Sequence, residues 1–436
     1  MMLTVSKAIF YLFLLLPISF KLEIGKGVSF YPQELILPFL ILFLFTKQVK
    51  SLTKNSYPFI IYLAALGVVF ISTLISQLSI LDLTGLLKTV KYILYILGII
   101  LVSNYSFEGF TKKFNKVAIL CIGCTLLIYL YNLLNFNGSL SDFVHLSTWD
   151  INYVPSGFSN LNLNILSWEF TRSTGNHGVY GSYLVLVYII NLSILLEGKA
   201  TKFNKLLIML SLLNMFMMTS RETLLLFLIV NLLFFFKPLL NLKLKLSYIY
   251  VALFFIAGLT YLIVYDVNLS LIQKLNHTIK SFGETGGENN ISLRFGVWHL
   301  ILYSFYLFPI YLLLGYGYNT PVFTEFLTLT NNHFNLYSTF VTVPESLFFF
   351  FLAFGGIIAL VLILLFFFSI AWETYKIRKI SIIAELLLFF IFGLFVTNNT
   401  GGSILSDMLL AQFALVYFWV HNFYGQAKHI AHNCQS

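Results

Sequence analysis

From Ser346 to Ala371 the chain carries no charged residue. As a helix rising about 1.5 Å per residue, that run exceeds the ~30 Å hydrocarbon core of a bilayer. Uncharged apolar runs recur, for example at 58–76, 178–196 and 247–264. A soluble domain is about 45–50% apolar and about 25% charged. This 436-residue chain is 59% hydrophobic and 10% charged. A soluble enzyme and a disordered chain are excluded. The runs are continuous rather than alternating, which argues against a membrane barrel. The expected fold class is all-α, a polytopic integral membrane protein with a single transmembrane domain over 1–436.

Hydropathy marks twelve spans, near 8–20, 34–46, 58–76, 86–102, 117–134, 178–196, 205–219, 222–236, 247–264, 346–371, 382–397 and 404–423. Several are shorter than the ~20 residues a bilayer usually needs. The net charge of +9 suggests nucleic acid in a soluble protein; here it fits cytoplasmic loops under the positive-inside rule, and no nucleic-acid partner is expected. With both termini cytoplasmic, seventeen basic residues fall inside and seven outside, while Lys88 and Lys91 sit within a span. The start, with Lys7 before an apolar run, reads as a retained signal anchor. Cys121, Cys124 and Cys434 suggest neither a disulfide framework nor a metal cluster.

Residues 297–314 are apolar enough to cross, but a single crossing would move Lys376, Arg378 and Lys379 outside. They are therefore expected to form a re-entrant or surface-lying helix, broken near Pro309 and Gly315-Tyr316-Gly317. Two long outer segments result, about 135–177 and 265–345. Long loops are where function concentrates.

Arginine use points to a site. Only four Arg accompany 22 Lys. Sixteen of the seventeen inner basic residues are Lys, whereas the outer seven include Arg172, Arg221 and Arg294. Arg supplies a planar, bidentate donor for carboxylate or phosphate. The plainer reading is three interfacial arginines paired with Glu169, Glu222 or Glu288. Arg172 precedes Gly175, Gly178 and Gly181, whose spacing suits either a ligand approach or close helix packing. Ser220 is a plausible N-cap, which puts Arg221 at a helix N-terminus suited to an anion. Arg294 opens the segment 297–314, and its plain role is an interfacial anchor.

Glu345 is the acidic candidate. Thr342-Val343-Pro344-Glu345 reads as a capping box, and a partly desolvated carboxylate there also suits general-base work. His333 and His177 are alternative bases, although a lone loop histidine is more often structural or solvated. Lys88 and Lys91 share a helix face; they either snorkel or neighbour an anionic headgroup. Trp149, Tyr153, Trp168, Tyr316 and Tyr318 suit sugar faces or a membrane aromatic belt. There is no Asp-x-Asp or Asp-x-Glu triplet, no Walker A sequence, no His-Glu-x-x-His and no Gly-x-Ser-x-Gly. No metal or cofactor is expected.

Taken in order, these motifs resemble the O-antigen polymerase and O-antigen ligase superfamily, often called Wzy and WaaL. Arg172 with its glycines, Ser220-Arg221, Arg294 with Trp298, Pro309 and Gly315-Tyr316-Gly317, and Glu345-Ser346 with Gly355-Gly356 carry the likeness over about 170–370. Ligases of that family typically have His where this chain has Glu345, which favours polymerase. The resemblance implies a metal-independent, glycosyltransferase C-type fold at the outer face of the bacterial inner membrane. It implies transfer of glycan from undecaprenyl diphosphate to an acceptor repeat unit, for O-antigen or capsule. Arg172, Arg221 and Arg294 would hold the diphosphate, Glu345 would be base or acceptor guide, and His333, Lys88, Lys91 and Tyr316 would line the substrate site. Expected partners are the lipid-linked oligosaccharide, the bilayer and a chain-length regulator protein. Rival readings are a ligase and a lipid-linked oligosaccharide flippase.

Overall fold

The computed structural model describes residues 2–18, 22–23, 29–48, 56–103, 109–134, 177–218, 220–235, 290–337, 340, 342–399 and 407–433. Helices dominate them. In order these are α1 (Met2–Leu15), α2 (Pro32–Gln48), α3 (Tyr57–Ser76), α4 (Leu83–Val102), α5 (Phe110–Leu134), α6 (His177–Leu196) and α7 (Lys202–Met218). They continue with α8 (Arg221–Phe235), α9 (Asn290–Leu307), α10 (Tyr311–Leu314), α11 (Thr320–Phe334), α12 (Leu347–Ile377), α13 (Ile382–Thr397) and α14 (Asp407–Asn433). A minimal antiparallel ladder pairs β1 (Leu22–Glu23) with β2 (Ser29–Phe30).

Helices overlie eleven of the twelve expected intervals; 247–264 lies outside the described residues. By length and composition, Tyr57–Ser76, Leu83–Val102, Val179–Leu196 and Leu347–Ile377 can cross a membrane. Val5–Leu15, Pro32–Phe43, Glu222–Phe235 and Ile382–Thr397 are shorter apolar helices. Among the described residues the structure is helical apart from the two-residue ladder, and its long apolar helices are those of a membrane protein.

α6 is the central helix. From Val179 to Ile190 its side chains are almost wholly buried, as expected of a helix apolar on every face. Its inner polar group is tied off: Asn191 Nδ2 donates to Asn115 Oδ1 of α5 and to Val187 O, and Asn204 Nδ2 of α7 donates to Asn191 Oδ1. α3 packs antiparallel on α12, with Val69 against Gly355 and both Phe59 and Tyr62 against Phe366.

The segment expected at 297–314 is broken near Pro309 and the glycines, but it begins earlier, at Asn290, and is followed by a helix that hydropathy does not mark, Thr320–Phe334. α9 ends at Leu307, a turn through Pro309 leads into α10, and α11 runs back along α9, with Phe334 against Tyr303 and Tyr306. The chain between α10 and α11 docks into the bundle through its backbone. Ser72 Oγ donates to Leu314 O, Tyr316 N donates to Ala353 O at 2.7 Å, and Tyr318 N donates to Thr73 Oγ1 at 2.8 Å. Gly315 and Gly317 have φ of 71° and 73°, and Gly356, inside α12, has φ 65° and ψ −166°. Only glycine adopts such backbone freely. α12 is therefore two helical rods broken at Gly356, with the hairpin's turn fitted at the break. Non-helical backbone in a membrane protein needs this kind of cover from neighbouring protein.

Candidate functional site

The hairpin and α12 meet again where α12 begins. Arg294 Nη2 lies 2.5 Å from Glu345 Oε2, with the two side chains 26% and 45% exposed. One turn further along both segments, Trp298 stacks on Phe349 with ring centroids 5.1 Å apart and planes at 8°. The ion pair is half open to its surroundings, so its contribution to stability is that of a surface pair, about 0.2–1 kcal/mol. Its value is positional, because it sets a guanidinium beside a carboxylate.

The expected capping box at Thr342–Glu345 does not form. α12 starts at Leu347 with Ser346 as N-cap residue, and its first N–H groups are met by the end of α13: Leu347 N donates to Asn398 O at 2.8 Å and Phe348 N to Asn399 Oδ1 at 3.4 Å. Ser346 Oγ also donates to Asn399 Oδ1 at 3.3 Å. With these groups bonded and Glu345 turned to Arg294, the carboxylate is free of any capping duty.

Arg221 joins the same end of the bundle. Ser220 is the N-cap residue of α8, as expected: its Oγ accepts from Thr223 N at 3.3 Å. α8 runs antiparallel to α13, with Leu226 at Gly393 and Phe234 against Phe389. Five residues from that contact along each helix, a rise of about 7.5 Å, lie Arg221 and Asn398. The backbone of Arg221 is therefore level with the residue that bonds Leu347. Thr223 also fills the space left by Gly181 of α6, so this glycine serves close helix packing. Arg172 lies outside the described residues, as do Trp149, Tyr153 and Trp168; its segment leads into α6, whose fifth residue is Gly181.

The remaining candidates separate. Lys91 pairs with Glu34 at 3.0 Å, and Glu34 also accepts from Tyr95 Oη at 2.6 Å and Tyr31 N at 3.1 Å. Lys91 thus belongs to a buried intramolecular network. Lys88 Nζ lies 5.9 Å from the centre of the Tyr318 ring. Tyr316 is 1% exposed, its hydroxyl donates to Ser304 Oγ at 2.9 Å, and its ring packs among Phe305, Tyr311 and Phe326. In this structure it is a core side chain of the hairpin. His333 is exposed in the last turn of α11, beside Phe334.

Two residues that the sequence did not single out meet where the end of α11 faces α9. His299 of α9 is exposed and has Nδ1 3.0 Å from Tyr337 Oη. Tyr337 is held in place by Asn331, whose Nδ2 donates to Tyr337 O at 2.8 Å and whose Oδ1 accepts from Tyr337 N at 3.0 Å. Burial pushes the Tyr337 phenol up from its ordinary pKa, so it stays a neutral hydroxyl. Neither residue belongs to a local motif. Among the described residues no group of three His, Cys, Asp or Glu side chains gathers as a metal site would require.

The arrangement offers a guanidinium for an anion and a carboxylate that the anion would release. No protein-family model matches the chain, and no curated protein matches it.

Proposed function

We propose that the chain is a bacterial polysaccharide polymerase of the inner membrane, with both termini cytoplasmic and the Glu345 end of the bundle facing outward. It transfers a glycan from undecaprenyl diphosphate to an acceptor repeat unit. The observation that carries this reading is the Arg294–Glu345 pair at the base of a docked hairpin, level with the backbone of Arg221. Phosphate competes for Arg on the same bidentate terms as carboxylate. Arrival of the donor diphosphate moves Arg294 from Glu345 to phosphate and frees the carboxylate only when substrate is present. Arg221 at its helix N-terminus, together with Arg172, which precedes α6 in the sequence, supplies positive charge for the leaving group. The acceptor hydroxyl oxygen attacks the anomeric carbon. The bond from that carbon to the diphosphate breaks, and its electron pair stays on the diphosphate. Glu345 acts as base or guides the acceptor.

The test is to delete the gene in its host and size both the surface glycan and the lipid-linked pool. Single repeat units on the surface, with the long ladder gone, support polymerase. Long polymer left on the carrier lipid supports a ligase instead, single units trapped on the cytoplasmic side support a flippase, and no change in either pool removes the glycan reading.

A further inference from the structure

Away from the Arg294–Glu345 end, α12 and α13 leave a groove between them. The two helices run antiparallel from the turn at 378–381, and the rings of Phe367 and Phe395 meet across the seam with centroids 5.2 Å apart. The groove holds about 500 Å³, with Leu364, Phe368 and Ala371 on one wall, Phe392 and Phe395 on the other, and Leu233 of α8 beside them. Every residue that lines it is apolar. Phe368 and Phe392 are themselves exposed, so the groove opens outward from the bundle.

Its far end supplies a different chemistry. Leu364, Phe368, Ala371, Tyr375 and Arg378 are spaced four, three, four and three residues apart, which makes them one stripe along α12. The stripe leaves the groove and runs into a basic corner. The Arg378 guanidinium lies over the Tyr375 ring, 3.2 Å from its centre, and its Nη1 donates to Tyr375 O at 2.8 Å. Those two contacts fix the fork while using only one of its donors. Lys376 lies over Trp372 and pairs with Glu373 at 2.8 Å, and Lys379 is exposed. Three basic residues against one Glu leave 372–379 with a net charge of +2. Trp372 stacks between Phe368 and Tyr375, with planes at 10° and 8°, and such rings belong at headgroup level. Arg378 lies seven residues beyond Ala371, a rise of about 10 Å. An apolar trough, an aromatic step and a fixed cation thus follow one another in the order of a phospholipid's chain, glycerol and phosphate.

We propose that this groove and corner bind one anionic phospholipid, with an acyl chain between α12 and α13 and the phosphate on Arg378 and Lys379. In the orientation proposed above it is a lipid of the cytoplasmic leaflet, where anionic headgroups attract basic side chains. The proposal needs only a membrane-embedded bundle and stands apart from the glycan-transfer reading. An ordinary aromatic belt with solvated cations has the same residue types but selects no lipid, and that difference is measurable.

The experiment uses the full chain in a nonionic detergent, with phosphatidylglycerol or phosphatidylcholine of the same acyl chains added, and reads bound lipid by native mass spectrometry and stability by thermal melting. Wild type should retain one phosphatidylglycerol and melt higher with it than with phosphatidylcholine. A basic residue at a membrane surface is worth about fivefold in binding, so Arg378→Gln combined with Lys379→Gln should weaken retention by about 30-fold. Ala371→Phe, which fills the groove and leaves every charge in place, should also lose the lipid. Lys202→Gln combined with Lys205→Gln, an exposed basic pair in the first turn of α7, should retain it as wild type does. Equal retention of the two lipids by wild type overturns the proposal, because no headgroup is then selected. Unchanged retention in the Arg378 and Lys379 variant overturns it too, and this surface variant decides the matter if Ala371→Phe does not fold. An equal loss in the Lys202 and Lys205 variant would mean bulk charge rather than a site, and full retention by a folded Ala371→Phe would remove the groove as the seat of the chain; either result overturns the proposal.

Discussion

The carbonyl oxygen of Tyr318 occupies the place where a side chain on Gly85 would begin. α4 therefore accepts the hairpin through a missing methyl group. Gly85→Ala should cost about 1–3 kcal/mol as an overpacked contact and lower the melting temperature in detergent. Gly67→Ala on α3 is the control, because its added Cβ would meet nothing within 4 Å. Equal melting of the two variants would mean that the hairpin does not dock as described.

On the proposed reading, Arg172, Arg221 and Arg294 act as hydrogen-bond donors to an anion rather than as bulk charge. Arg172→Lys, Arg221→Lys and Arg294→Lys keep the charge and lose the planar fork. Each should lower elongation strongly while membrane abundance stays normal. Full activity in all three would remove the diphosphate role.

Glu34 and Lys91 are expected to behave as one unit. Both are largely enclosed, with side chains 5% and 16% exposed, and Tyr95 and Tyr31 complete the carboxylate's bonds. Removing one partner leaves a charge in a poor solvent, which typically costs about 3–5 kcal/mol. Glu34→Gln should be strongly destabilised, and adding Lys91→Met should restore much of the loss. A double variant no better than the single one would show that the pair's electrostatics do not matter.

Asn191 links three helices through its amide. Interhelical hydrogen bonds in membrane proteins average about 0.6 kcal/mol and reach about 1.7. Asn191→Leu should therefore weaken resistance to denaturant by about 1–3 kcal/mol. Unfolding in mixed detergent micelles measures this, and an unchanged midpoint would count against the link.

Most of the helices were legible because they announce themselves locally; α11, interrupted by threonines and asparagines, was not. The apolar run of α12, the serine before α8, and the proline and glycines between α9 and α11 all carry their signal within a few residues. What was not legible depends on distant partners. Thr342-x-x-Glu345 has the pattern of a capping box, but Asn398 and Asn399, more than fifty residues on, take the N–H groups, and Arg294 takes the carboxylate. The turn-rich Asn398-Asn399 pair marks a helix end in sequence, yet nothing local says that it caps another helix. Tyr316 looked suited to a sugar face, and only its ring neighbours reveal it as core. His299 has no local signature either; its partner Tyr337 lies thirty-eight residues later.

The break in α12 also bears on how the protein is made. Ala353 O, released where the helix is interrupted at Gly356, receives its hydrogen bond from Tyr316 N. The interrupted rod thus carries a carbonyl acceptor that the hairpin fills. Residues 290–334 precede 347–377 in the chain, so the hairpin is synthesised before the carbonyl that it caps. A chain with these two segments in the opposite order would have to thread an unfinished helix into lipid first.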